Sequence, residues 1–83
     1  MEKTGARTIL LVENEAIIAL AERFVLEKNG YRVLTAGSGE SAVETAAAQP
    51  GIDLILMDIN LGSGMNGTEA AERILRNHDI PVI

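Results

Sequence analysis

Ile52-Asp53-Leu54-Ile55-Leu56-Met57-Asp58 is the stretch that decides the fold: the most apolar strand-like run in the chain, ending on a carboxylate. An apolar run of strand length, without polar alternation, predicts a strand covered on both faces, as in a parallel sheet. Gln49-Pro50-Gly51 stops whatever precedes it, since proline and glycine both interrupt regular structure. A glycine-rich loop, Gly62-Ser63-Gly64-Met65-Asn66-Gly67, follows. The run from Ile52 to Met57 is therefore read as a strand that delivers Asp58 at its carboxyl end.

Working toward the C-terminus, Asn66 caps a helix that runs to about Asn77, with Glu69 three residues on in an N-x-x-E variant of the capping box. Ile80-Pro81-Val82-Ile83 reads as a fourth strand. Toward the N-terminus, Ser38 caps a helix from about Gly39 to Ala48 that buries the small residues Ala42, Val43, Ala46 and Ala47. Tyr31 to Ala36 is a second strand. Before it, Ile17, Ile18, Leu20, Ala21, Phe24 and Val25 recur at helical spacing between Glu15 and Lys28, with Asn14 as N-cap and Asn29-Gly30 as the stop. The apolar arc of this first helix is roughly 160°, wider than the ~100° that one partner surface requires, so it is expected to touch two surfaces. Thr8-Ile9-Leu10-Leu11-Val12 opens the series as another unbroken apolar strand. The order βαβαβαβ implies a parallel α/β sheet with right-handed crossovers. Residues 1–83 read as one unit, with a polar tail at about 1–7.

Composition narrows the functions. Hydrophobic residues make up 47% of the 83, enough for a globular core and too many for a disordered chain. Phe24 and Tyr31 are the only aromatics, so the core is aliphatic. The net charge of −5, without a basic cluster, lacks the footprint of direct nucleic-acid binding. There is no cysteine, which excludes disulfides and Cys-ligated zinc. The N-terminus has no signal-peptide core and no run is long enough to span a bilayer; the expectation is a cytoplasmic protein.

Open parallel α/β sheets form their sites outside the carboxyl ends of the strands, where strand order reverses. Here those ends carry Glu13-Asn14 after the first strand and Asp58 after the third, with Asn60 two residues on. A few hard oxygen donors with room for water and phosphate suit Mg²⁺ rather than Zn²⁺. A carboxylate beside such a cation can act as a nucleophile and form an aspartyl-phosphate. Taken singly, Glu13 and Asn14 favour a cap or loop role and Asp58 is evenly balanced; two such strand ends in one array favour a site. His78 in the turn Arg76-Asn77-His78-Asp79 has no second His or Cys to share a metal, and Met57 and Met65 read as packing residues.

With these residues in view, the chain resembles response-regulator receiver domains. Ile9 to Glu15 is similar to their first strand and acidic pair, and Asp53 to Leu61 to their third strand with its phosphoacceptor. Met65-Asn66-Gly67 resembles the Met-Asp-Gly that opens their third helix, and Ile80 to Ile83 their fourth strand. The resemblance implies a flavodoxin-like doubly wound parallel sheet of strand order 2-1-3-4, present as an incomplete receiver domain. It implies that Asp58 accepts a phosphoryl group from a histidine kinase or phosphotransfer protein. It also implies that Glu13, Asn14, Asp58 and the Asn60 carbonyl surround Mg²⁺, and that the chain is a signalling module and not an enzyme.

Three departures from the family pattern stand out. Asn14 replaces the second acid of the pair, which predicts weak Mg²⁺ binding. The loop Leu61-Gly62-Ser63-Gly64-Met65-Asn66-Gly67 is one residue longer than the usual Leu-Pro-Gly-Met-Asp-Gly and lacks its proline, similar to loops of receivers attached to sensor kinases. The third is that the sequence stops at Ile83, before the switch hydroxyl and lysine of the family. From this the expectation is a chain that does not switch and that self-associates through its fourth strand or first helix. The rival expectation is a receiver-like interaction or dimerisation module that is not phosphorylated. An aspartate-nucleophile phosphatase would want an acid where Asn60 stands, and Glu13-Asn14-Glu15 would repel a flavin phosphate.

Overall fold

The computed structural model describes residues 6–83; most of the polar tail read from the sequence, residues 1–5, lies outside them. The elements are β1 (Thr8–Val12), α1 (Ala16–Lys28), β2 (Arg32–Ala36), α2 (Gly39–Ala48), β3 (Leu54–Met57) and α3 (Gly67–Asn77). The strands form a parallel sheet in the order β2-β1-β3. Residues 80–83 run parallel along the free side of β3 through an Ile55–Val82 bridge. Ile55 N donates to Pro81 O, Ile83 N to Ile55 O and Met57 N to Ile83 O, each at 2.9 Å. The expected 2-1-3-4 order is thus present, with its fourth member a bridge instead of a full strand, and Pro81 without an N–H to add to the ladder.

Every residue of β1 is buried, as a central strand with helices on both faces requires. Leu10, Val12, Ala36 and Ile55 pack with Ala42 and Ala46 of α2 and Ile74 of α3 on one face. The small side chains of α2 let its backbone approach the sheet closely. On the other face α1 lies against β1 and β2, over the alternate residues Ile9, Leu11 and Val33, which are also buried.

Two helix starts follow the sequence reading. Ser38 Oγ accepts from Ser41 N at 3.0 Å and Asn66 Oδ1 from Glu69 N at 2.9 Å, each satisfying an orphan donor of the first turn. The Glu69 carboxylate turns instead to Arg73, at 3.2 Å, so only half of the capping box forms. A third start differs. Glu15, not Asn14, is the N-cap of α1, and it makes no side-chain cap bond. Asn14 is drawn away because it sits in the bend where β1 leaves the sheet. β2 and β3 begin one and two residues later than their apolar runs. Asp53, inside the third run, is occupied with its carboxylate on Thr8 N and its own N–H on Thr8 O, both at 2.8 Å.

Candidate functional site

Parallel register builds the site. Val12 pairs with Ala36 on one side and Met57 on the other, so Glu13 and Asp58 leave the sheet side by side. Glu13 N donates to Ala36 O at 3.0 Å and Asp58 N to Val12 O at 3.1 Å, fixing both backbones before their side chains reach solvent. Both residues are half-buried. Beyond Asp58 the chain curls through two turns in which side chains accept from the backbone. Asp58 Oδ1 accepts from Asn60 N at 3.2 Å, and Asn60 Oδ1 from Gly62 N at 3.3 Å. Among the described residues no donor reaches the Asn60 carbonyl.

Glu13 and Asp58 open onto a hollow of about 330 Å³, walled also by Glu22 of α1, Met57 and Ile83. Burial pushes the Glu13 carboxyl above its ordinary value, helped by the charges of Asp58 and Glu22. The Glu15 N–H, 3.2 Å from Glu13 Oε2, pulls the other way. Crowded carboxylates that raise one another's affinity for protons also suit a cation. Asn14 is not among the residues that wall this hollow. It lines a neighbouring one toward β2, with Leu20, Arg23 and Gly37, and its amide nitrogen is 3.1 Å from where a Cβ on Gly62 would stand. The fold therefore brings Glu13 and Asp58 together, sets Asn60 just beyond them, and turns Asn14 toward the loop. Among the described residues no group of three or more His, Cys, Asp or Glu side chains could hold a metal ion by itself.

Two contributors escaped the sequence reading. Glu22 was not singled out in the sequence, and only the docking of α1 turns it toward Glu13. Gly67 is buried and donates its N–H to Ile59 O at 2.9 Å. A Cβ there would come within 2.8 Å of the Asp58 carbonyl carbon and the Ile59 Cα. The absence of a side chain lets α3 start directly against the backbone of Asp58. Its signal was a poor helix former directly after the Asn66 cap.

A family model for the response regulator receiver domain matches residues 9–83. The chain is 41% identical over 76 residues to the transcriptional regulatory protein YvrH of Bacillus subtilis, covering 90% of this chain and 31% of that one. Its structure superimposes with a TM-score of 0.87 on the N-terminal domain of a response regulator/sensory box/GGDEF protein of Carboxydothermus hydrogenoformans. That domain is 42% identical, and the match covers 92% of this chain and 61% of that one. The response regulator TrrA of Thermotoga maritima, solved in complex with Mg²⁺ and BeF, gives a TM-score of 0.84 at 30% identity, covering 92% and 65% of the two chains. The chain spans about a third of the length of the curated relatives it matches. Sheet order, the paired acids at the ends of β1 and β3, and the family match agree: this chain belongs to the response regulator receiver domains, with their flavodoxin-like fold.

Proposed function

We propose that Asp58 is the phosphoacceptor of a two-component phosphorelay, receiving its phosphoryl group from a histidine kinase or phosphotransfer protein. The observation that carries this reading is the half-buried Asp58 carboxylate at the end of β3, beside Glu13 and open to a hollow wide enough for a phosphoryl group. A carboxylate oxygen of Asp58 forms the new P–O bond as the P–N bond to the donor's imidazole breaks, and the nitrogen leaves with the electron pair. Asp58 is consumed as an acceptor and not regenerated in the same step, so the role is that of a signalling module.

The donor set fits Mg²⁺. Glu13 and Asp58 supply charge, the Asn60 carbonyl supplies a neutral oxygen, and Mg²⁺ ordinarily takes one or two carboxylates and keeps several waters. Bound there, it would offset the charge gathered on the transferring phosphoryl group. Asn14 brings an amide where a second acid would strengthen the site, which favours weak binding. Asn14→Asp is expected to tighten Mg²⁺ in a metal titration; an unchanged affinity removes Asn14 from the ligand set.

Incubation with Mg²⁺ and a small acyl phosphate should give acid-labile phosphate on the chain, abolished by Asp58→Asn. Labelling that survives this substitution, or none in the parent chain, overturns the assignment. A second reading, a receiver-like interaction module, is favoured by one observation: the exposed apolar residues Ile17, Leu20 and Phe24 along α1. It predicts self-association through α1, and a monomeric mass by light scattering at tens of micromolar would sink it.

A further inference from the structure

The loop between β3 and α3 begins at the proposed phosphoacceptor and reaches α3 through two glycines of positive φ, Gly62 at 80° and Gly64 at 84°. Its first half is held by the bonds that Asp58 and Asn60 accept. Its second half has no such side-chain tie from Ser63 to Met65 and is fastened to the first only where Gly67 N donates to Ile59 O, at 2.9 Å. Among the described residues, the one hydrogen bond joining this half to another helix is from Met65 N to Glu40 Oε2, at 3.2 Å across 25 residues.

Several features around that bond fit together. Glu40 is in the first turn of α2, where a carboxylate is favoured by the helix dipole. A Cβ on Gly39 would stand 2.8 Å from Met65 O, and one on Gly64 would stand 2.9 Å from Glu40 Oε2. Each missing side chain thus clears the approach of α2 to the loop. Gly39 is buried there, directly before the exposed Glu40.

We infer that Glu40 is a positioning residue: by holding Met65 N–H it fixes the second half of the loop, and through it the placement of Asn60 beside Asp58. The inference rests on the acceptor role proposed for Asp58. Its own N–H and that of Met65, with a smaller contribution from Arg73 of α3, hold the Glu40 carboxyl below its ordinary value. The latch therefore stays charged at neutral pH, and a charged acceptor makes the stronger hydrogen bond.

The test compares Glu40→Ala, Glu40→Gln and Glu40→Asp in the full chain, with two readouts. Hydrogen exchange at the Met65 amide reads the latch directly, and the rate of Asp58 phosphorylation by a small acyl phosphate with Mg²⁺ reads its consequence. Alanine is a good helix former at this exposed position, so the fold should persist, as thermal melting would verify. In Glu40→Ala, Met65 exchange should rise about tenfold and phosphorylation should slow several-fold. Glu40→Gln, which keeps an acceptor at the same reach, should restore most of both. Glu40→Asp, charged but shorter, should behave like Glu40→Ala. Unchanged Met65 exchange in Glu40→Ala overturns the latch, and faster exchange with unchanged phosphorylation overturns its positioning role. A parent chain that takes up no phosphate sinks the acceptor reading instead, and Met65 exchange still decides whether the latch exists.

Discussion

The two faces of the sheet are built differently. Under α2 and α3, Leu10, Val12, Ile55 and Ile74 are each less than 2% exposed, and both helices start on a side-chain cap. Over the other face α1 covers Ile9, Leu11 and Val33, yet has no buried residue of its own and starts on Glu15 without a cap bond. Ile17, Leu20 and Phe24 are 84%, 68% and 65% exposed. One layer is closed and is expected to contribute most of the stability. The other is half-covered and leaves apolar surface that a further element or partner would remove from water. The site lies at the sheet edge between them, with Gly67 and Glu40 contributed from the closed side and Glu22 from the open one.

That contrast can be broken most sharply in the core. Ile55→Ala, fully buried against α2 and α3, should cost about 3 kcal/mol, whereas Ile17→Ala should change stability by no more than about 0.5 kcal/mol. Urea midpoints would read both, and equal losses would mean that the faces do not differ. Gly67→Ala should cost about 2 kcal/mol, because the new Cβ overpacks against backbone that cannot yield like a side chain. It should also lower Asp58 phosphorylation more than a surface variant of equal stability; phosphorylation unchanged from the parent would detach α3 from the site.

The caps give a smaller effect. Asn66→Ala should cost about 1 kcal/mol and Glu15→Ala almost nothing, measured by the same denaturation. The smallest effect is electrostatic. The folded pKa of Glu13 is raised, so ionising it opposes folding. This penalty is absent below the ordinary carboxylate value, grows as pH rises toward the folded pKa, and is complete above it. Glu13→Gln should therefore gain a little stability at neutral pH and none in acid; a gain of equal size at both would rule out a titration origin.

Much of this was legible beforehand because it is local. Unbroken apolar runs of strand length marked β1 and β3, Ser38 and Asn66 announced their helices, and Asp58 fell where a parallel strand would end. Asn14 was misread as a cap because several residues around a strand-to-helix bend are chemically able to cap, and only backbone geometry selects one. The wide arc of α1 correctly signalled more apolar surface than one contact uses. It did not say which part would face the sheet, since a helix can roll about its axis and keep the same periodicity.

By itself, then, the sequence determined the parallel α/β architecture, the strand order its motifs resemble, and the carboxylates at the ends of β1 and β3. The architecture and the carboxylates follow from residue type and spacing along the chain, the strand order from the resemblance to the family. Tertiary structure alone decided that Glu22 would load the Glu13 pocket, that Gly67 would seat α3 on the Asp58 backbone, and that Glu40 would reach Met65. Those three depend on how helices dock, and docking is set by packing between residues far apart in the chain.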